Sequence, residues 1–185
     1  MSVKETTLEI KLENLKENFK FLKSRVSSST KFMAVVKAFS YGSDSVIISK
    51  ELEKIGADYL AVAYTNEGIE LRENGIRLPI LVLHPQEDDF ENIINYSLEP
   101  SIYSFRIFTF FLKTLRYNNI EKYPYQIKFN TGLNRLGFLK DDVDKLFPLI
   151  KNNPPKYLFS HLGASEDSKE AEYSKNQIAQ FQSIS

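Results

Sequence analysis

Ala34-Val35-Val36-Lys37-Ala38-Phe39-Ser40-Tyr41-Gly42 decides how this chain reads. An apolar run ends in a lysine, and a tyrosine and a glycine follow four and five residues later. In physical terms a buried strand delivers an amine to its C-terminal end, and a tight turn brings a phenol beside it. The C-terminal ends of parallel strands are where α/β folds place their chemistry. A lysine there can form a Schiff base, because burial lowers its pKa and frees the neutral amine. The same pattern also describes a strand-end lysine in solvent, since lysine is rarely buried without a partner. The rest of the chain has to separate the two.

Outward from this stretch, short apolar runs alternate with helical patterns. Thr7 to Ile10 reads as a short strand. Leu12, Leu15, Phe19, Leu22 and Val26 recur at three- and four-residue spacing with charged residues between them, an amphipathic helix with one apolar face. Strands are expected at Phe32 to Lys37, Tyr59 to Tyr64, Pro79 to Leu83, Glu99 to Tyr103, Tyr125 to Phe129 and Tyr157 to His161. Between them lie a helix capped at Ser43 or Asp44 and stopped at Gly56, and one capped by Thr65 and ended at Gly75. A short helix over Phe90 to Tyr96, the aromatic helix Phe105 to Tyr117 and a helix over Asp141 to Ile150 follow, with a polar helix over Ser165 to Ile184 at the end. Strands recurring every 20 to 30 residues or so with helices between them are βα units around a parallel sheet. With no Gly-x-Gly-x-x-Gly turn, the pattern favours an α/β fold of the (β/α)8 TIM-barrel type over a dinucleotide fold. A barrel has eight strands and about 250 residues. This chain shows about six βα units and stops at Ser185, where a seventh strand would begin, so an incomplete barrel is expected.

Composition narrows the partners. The 185 residues suffice for a hydrophobic core, and 42% of them are apolar. Lysine plus arginine and aspartate plus glutamate number 24 each, so nothing in the charge points to nucleic acid or an anionic membrane. The absence of cysteine excludes a disulfide framework and a thiolate metal site, and no metal is expected. No apolar run approaches the roughly 20 residues of a membrane span, and Met1-Ser2-Val3-Lys4-Glu5 lacks the apolar stretch of a signal peptide. A cytoplasmic location is expected.

Three further stretches carry candidate chemistry. Lys128-Phe129-Asn130-Thr131-Gly132-Leu133-Asn134-Arg135-Leu136-Gly137-Phe138 follows the fifth strand and brackets an arginine between two glycines. A guanidinium at a strand end suits an anionic oxygen of a ligand, and a turn with a surface arginine explains the pattern as well. Phe159-Ser160-His161-Leu162-Gly163 ends the sixth strand with a histidine that can bond a ligand or a neighbouring side chain. His84-Pro85, after the third strand, has no charged companion in sequence and reads as structural. Lys37, Tyr41, Arg135 and His161 all follow expected strands, and on a parallel barrel such positions converge on one mouth.

These residues resemble the motifs of alanine racemase. Residues 34–42 look like the pyridoxal-phosphate lysine motif, which in that family typically reads alanine-valine-valine-lysine-alanine-asparagine-alanine-tyrosine-glycine. Asn130 to Phe138 and Phe159 to Leu162 match two further motifs in the correct order, and the likeness runs from about Thr7 to Ser185. Ala61 to Arg72 and Leu98 to Phe105 look closest to racemases carried as the C-terminal half of a fused muropeptide ligase. The resemblance implies a fold-type III barrel followed by a β-rich C-terminal domain, in a head-to-tail homodimer. Residues 1–185 would then be the N-terminal part of the barrel, with the β domain absent. It implies a PLP-dependent isomerase that interconverts L- and D-alanine for peptidoglycan precursors, with pyridoxal 5'-phosphate held by Lys37, which also acts as one of two bases. Tyr41 would bond the cofactor phosphate. Arg135 would contact the cofactor's phenolic oxygen and help place the substrate carboxylate, and His161 would sit in the hydrogen-bond network behind the ring. Lys128 matches a lysine that is carbamylated in some members, and a neutralised Lys128 beside Arg135 makes electrostatic sense.

Phe39-Ser40 stands where the family has asparagine-alanine, and Asn130 where aspartate is commoner. The family's other phosphate-binding loops, the arginine facing the pyridine nitrogen and the tyrosine of the opposite-face base have no counterpart in these residues. This chain alone is therefore expected to racemise negligibly. A broad-specificity or serine racemase, a single-domain PLP-homeostasis carrier and a non-functional product are the other readings.

Overall fold

The structure is a computed structural model and describes residues 6–184; the N-terminal Met1–Glu5, read above for a signal peptide, lies outside the described residues. The chain divides into two units, the first formed by residues up to Leu83 with Asn95–Leu98, the second by His84–Ile94 with Glu99 onward.

In the first unit, β1 (Met33–Val35), β2 (Tyr59–Val62) and β3 (Ile80–Val82) pair in parallel, with Ala34 opposite Leu60 and Leu60 opposite Ile80. The β2 and β3 residues are β-branched or apolar and almost completely buried, as strands covered on both faces should be. β1 differs from the expected buried strand. Met33 and Val35 are 36% and 41% exposed, because β1 has only β2 as a ladder partner among the described residues. Thr7 to Ile10 is not a strand but irregular chain leading into α1 (Leu12–Ser24). Of the apolar stripe on α1, only Phe19 is buried, edge-on to Phe32 at 5.1 Å. Asp58, just before β2, accepts the Phe32 N–H at 2.7 Å and the Lys23 ammonium at 3.2 Å. The Phe32 bond, with Lys23 behind it, holds its carboxyl below the ordinary range.

Helix α3 (Ser45–Lys54) starts as its cap predicts, with the Asp44 carboxylate accepting the Ile47 N–H at 2.8 Å. Helix α4 (Thr65–Glu73) starts differently. Thr65 is its first helical residue, and its hydroxyl is buried without a partner; the capping is done by Glu67 from inside the helix. At the other end Arg72 donates to the carbonyls of Ile76, Leu78, Tyr96 and Ser97, fastening the flanking turns to the helix.

In the second unit, β4 (Glu99–Ile102), β5 (Gln126–Lys128) and β6 (Tyr157–Phe159) are again parallel, with Ser101 opposite Gln126 and Ile127 opposite Leu158. Helix α5 (Phe90–Asn95) follows a 3-10 turn, and α6 (Phe105–Tyr117) is capped by Ser104. The α6 residues Phe108 and Phe111 pack with Phe90 and Tyr125 at ring separations of 5.3–6.4 Å, and all four rings are inaccessible to solvent. Such aromatic pairs add attraction beyond the area they bury. The other face of the sheet is polar. Glu99, Ser101, Gln126 and Lys128 alternate with the apolar positions and are all buried. Glu99 accepts from Gln126 at 3.2 Å and from the Lys156 ammonium at 2.6 Å. Helices α7 (Val143–Ile150) and α8 (Ala171–Gln182) complete the unit, α8 being shorter than expected because Ser168–Glu170 is a 3-10 turn. Among the described residues the α/β repeat of the (β/α)8 fold occurs six times, incomplete by two, and no helix is long and apolar enough to cross a membrane.

Candidate functional site

Lys37 lies just past β1, after Val36. The last ladder bond at this point is the Val36 N–H to the Ala61 carbonyl, 2.8 Å. The Lys37 side chain is half-buried and its amine makes no ion pair among the described residues. The chain then turns in an unusual way. Over Lys37–Gly42 (α2) the backbone is helical, but Ala38, Phe39, Ser40 and Tyr41 all have φ between 51° and 58° and ψ between 42° and 54°. This is a left-handed turn of four consecutive non-glycine residues. L-residues visit that region singly, at about 1–2 kcal/mol each. Phe39 occupies a position where asparagine would be at ease; its ring is 67% exposed and adds no crowding to the backbone strain. The Ser40 hydroxyl is buried without a partner. The expected tight turn is therefore present, but its hand was not foreseen.

Backbone bonds close this turn at both ends, Ser40 N–H to Val36 and Ser43 N–H to Phe39, 3.1 and 2.7 Å. The Glu67 carboxylate adds a side-chain bond by accepting the Ala38 N–H at 2.7 Å. Tyr41 emerges 68% exposed. A cavity of about 350 Å³ lies behind the turn, lined by Phe19, Val36, Ser40, Tyr41, Ser43 and Leu52.

In the second unit, Lys128 ends β5 and is 6% exposed, its ammonium 5.8 Å from the centre of the Phe159 ring. The following loop closes on itself, with Asn130 N–H to Phe138 and Phe138 N–H to Lys128, both 2.9 Å. Gly137 (φ 127°) makes that closure possible, since a Cβ there would lie 2.6 Å from Asn130 N. The Asn130 side chain accepts from Gly132 and Asn134 N–H groups and donates to the Asn134 carbonyl oxygen of the side chain, so the amide organises the loop. An aspartate could make only the accepting half of this set. Arg135 sits exposed on the loop and makes no ion pair among the described residues.

The loop is anchored from below. Thr131 and Ser160 share a hydrogen bond of 2.7 Å, and Ser160 donates to the Phe129 carbonyl. Gln177 on α8 is 1% exposed; it accepts the Gly163 N–H and donates to the His161 carbonyl and to Thr131. His161 itself is exposed, and this network fixes its backbone.

His84, read as structural with no charged companion in sequence, has charged companions in space: it stacks on Tyr103 at 5.1 Å and feels the positive charges of Lys128 and Arg135. Burial first, then those two cations, lower its pKa below the ordinary imidazole value. Its position directly after β3 was the available signal, the same one that picked out Lys37 and His161. Within each unit, then, chemistry-bearing residues follow the strands: Lys37 and Tyr41 after β1 in the first, Lys128, Arg135 and His161 at or after β5 and β6 in the second, to which His84 also belongs.

The model of the alanine racemase N-terminal domain matches residues 10–185. Alanine racemase 1 of Caldanaerobacter subterraneus subsp. tengcongensis is 33% identical over 191 residues, covering 98% of this chain and 48% of that protein. The solved alanine racemase of Clostridium difficile 630 superimposes with a TM-score of 0.87 at 32% identity, over 94% of this chain and 46% of the other. An alanine racemase from Bartonella henselae, solved with covalently bound pyridoxal phosphate, gives 0.84 at 25% identity over 95% and 52% of the two chains. The chain spans about half the length of the curated relatives it matches.

Proposed function

This chain belongs to the alanine racemase N-terminal domain family, and on that premise we propose that it is the cofactor-anchoring part of an alanine racemase barrel. The observation that carries the reading is Lys37: a half-buried amine without an ion-pair partner, at a strand's C-terminal end, on a strained turn that ends in Tyr41. Strain of this kind is kept where function needs a particular geometry. The donor set fits pyridoxal phosphate chemically. A primary amine suits its aldehyde, a phenol its phosphate, and a guanidinium an anionic oxygen.

Pyridoxal phosphate, when bound, supplies an electron sink that acidifies the α-C–H of an amino acid. The chain's own residues then divide the work. Lys37 would hold the cofactor through its amine and would take or return the α-proton of a bound amino acid on one face. Tyr41 donates to the phosphate. Arg135 draws in the carboxylate of a small substrate such as alanine, and His161 supports the ring. Lys128, buried beside the loop, is a candidate for carbamylation, which would turn a repulsive neighbour of Arg135 into an attractive one. The second base and the remaining phosphate-binding loops would lie outside these 185 residues, in a cytoplasmic protein with a β-rich C-terminal domain that works as a head-to-tail homodimer; a racemase fused to a muropeptide ligase domain is one form it would take.

Reduction of the pyridoxal phosphate adduct with borohydride, followed by peptide mapping, tests the assignment. The label is expected on Lys37; a label elsewhere refutes it. Robust interconversion of L- and D-alanine by the 185-residue chain would refute the division of the two bases.

A further inference from the structure

Glu67 is the third residue of α4, and its two carboxylate oxygens do different jobs. Oε2 accepts the Ala63 and Tyr64 N–H groups at 2.6 and 3.0 Å, which caps the helix on the β2–α4 turn. Oε1 accepts the Ala38 N–H at 2.7 Å, the peptide that directly follows Lys37. Capping requires only the first oxygen. The second ties the C-terminal end of β1 to that of β2.

The peptide held by Oε1 is the point where the chain passes from β1 into the left-handed turn. Val36 has ordinary negative φ (−119°), and Ala38 is the first residue at positive φ (51°). Among the described residues no other side chain hydrogen-bonds to the backbone of 37–42. An unrestrained Lys37–Ala38 peptide would rotate toward the right-handed region that L-residues prefer, and the Lys37 side chain would rotate with it. A charge-assisted bond to a carboxylate is stronger than a neutral one and suits this restraint.

We propose that Glu67 is a positioning residue: its carboxylate fixes the Lys37–Ala38 peptide and thereby aims the Lys37 amine for adduct formation with the aldehyde of pyridoxal phosphate. The proposal rests on the reading of Lys37 given above.

The test follows the rate at which pyridoxal phosphate, trapped with borohydride, labels the Lys37 peptide of the 185-residue chain, with the adduct absorbance recorded in parallel. Glu67→Gln removes the charge. Glu67→Asp keeps a capping carboxylate on α4 but is one methylene too short to reach Ala38 as well. Glu53→Gln is the control, because Glu53 accepts the Arg77 and Leu78 N–H groups at 2.8 and 2.9 Å in the same unit, remote from the turn. Both Glu67 variants are expected to label Lys37 roughly ten- to hundredfold more slowly, as misplacement of a reacting group does, while Glu53→Gln labels at the wild-type rate. If Glu67→Gln does not fold, Glu67→Asp decides alone. Wild-type labelling rates in the variants that fold, or equal slowing in Glu53→Gln, overturn the proposal with Lys37 still labelled. A wild-type chain unlabelled at Lys37 overturns the Lys37 reading and this proposal with it.

Discussion

Replacing Ala38 by glycine should stabilise the protein, against the usual direction of that substitution in a helix. In a right-handed helix, alanine to glycine costs about 1 kcal/mol. Ala38 has φ 51° and ψ 54°, and its methyl is exposed, so little burial is lost with it. An L-residue in this region carries about 1–2 kcal/mol of steric strain that glycine does not. Glycine's larger entropy in the unfolded chain takes back about 0.5–1 kcal/mol. The difference is a net gain of about 0–1.5 kcal/mol, centred at about 0.75, and the Ala38 N–H to Glu67 bond is unaffected because it is a backbone donor. For a chain of this length the centre of that range corresponds to a rise in Tm of roughly 2–3 °C. Urea titration of Ala38→Gly beside the parent, followed by far-UV circular dichroism, reads the change as a shift in midpoint at constant slope. A midpoint lowered by the equivalent of about 1 kcal/mol would show that residues 38–41 turn right-handed, and would refute the strain argument for all four.

Three other perturbations probe the second unit. Gly137→Ala places a Cβ 2.6 Å from the backbone of Asn130 at a positive φ. It should cost about 1–3 kcal/mol in thermal melts and raise hydrogen exchange at Asn130 and Phe138; an unchanged Tm would contradict the loop closure. Gln177→Ala strips partners from the Gly163 N–H, the His161 carbonyl and Thr131, and should cost about 1–3 kcal/mol by the same measurement. His84 has a folded-state pKa below its unfolded value of about 6.5, so below that pH the unfolded chain binds more protons and stability falls as pH drops. Melts between pH 5 and 7.5 should show a slope that His84→Gln reduces. Carbamylation of Lys128 by added bicarbonate would replace a cation by an anion and raise the His84 titration midpoint in NMR spectra; a midpoint indifferent to bicarbonate would count against that modification.

Periodicity made the alternation of strands and helices legible, and β2 and β3 lie where apolar runs predict them, while β4 (Glu-Pro-Ser-Ile) and β5 (Gln-Ile-Lys) lie within the expected spans despite their polar residues. The misses have physical reasons. Thr7 to Ile10 alternates like a strand but has no neighbour to pair with, and a strand without a ladder does not form. Thr65 is a good capping residue by type, yet Glu67 caps α4 instead, because its longer side chain reaches back to the strand end. His84 was set aside because its companions are distant in sequence: Lys128 and Arg135 come near it only through folding.

Local chemistry written along the chain was enough to establish the βα repeat and to single out Lys37, Tyr41, Arg135 and His161, because each follows an expected strand; Lys128, within the fifth strand, stood out only through the family resemblance. The hand of the turn after Lys37 is another matter. Ala-Phe-Ser-Tyr contains no glycine or asparagine to announce positive φ, and its intrinsic preference is for the opposite hand. The turn is held where it is by Glu67, 29 residues away in sequence from the peptide it binds. A carboxylate-to-backbone bond over that separation leaves no periodic trace, and only the packing of β1 beside β2 brings the two together.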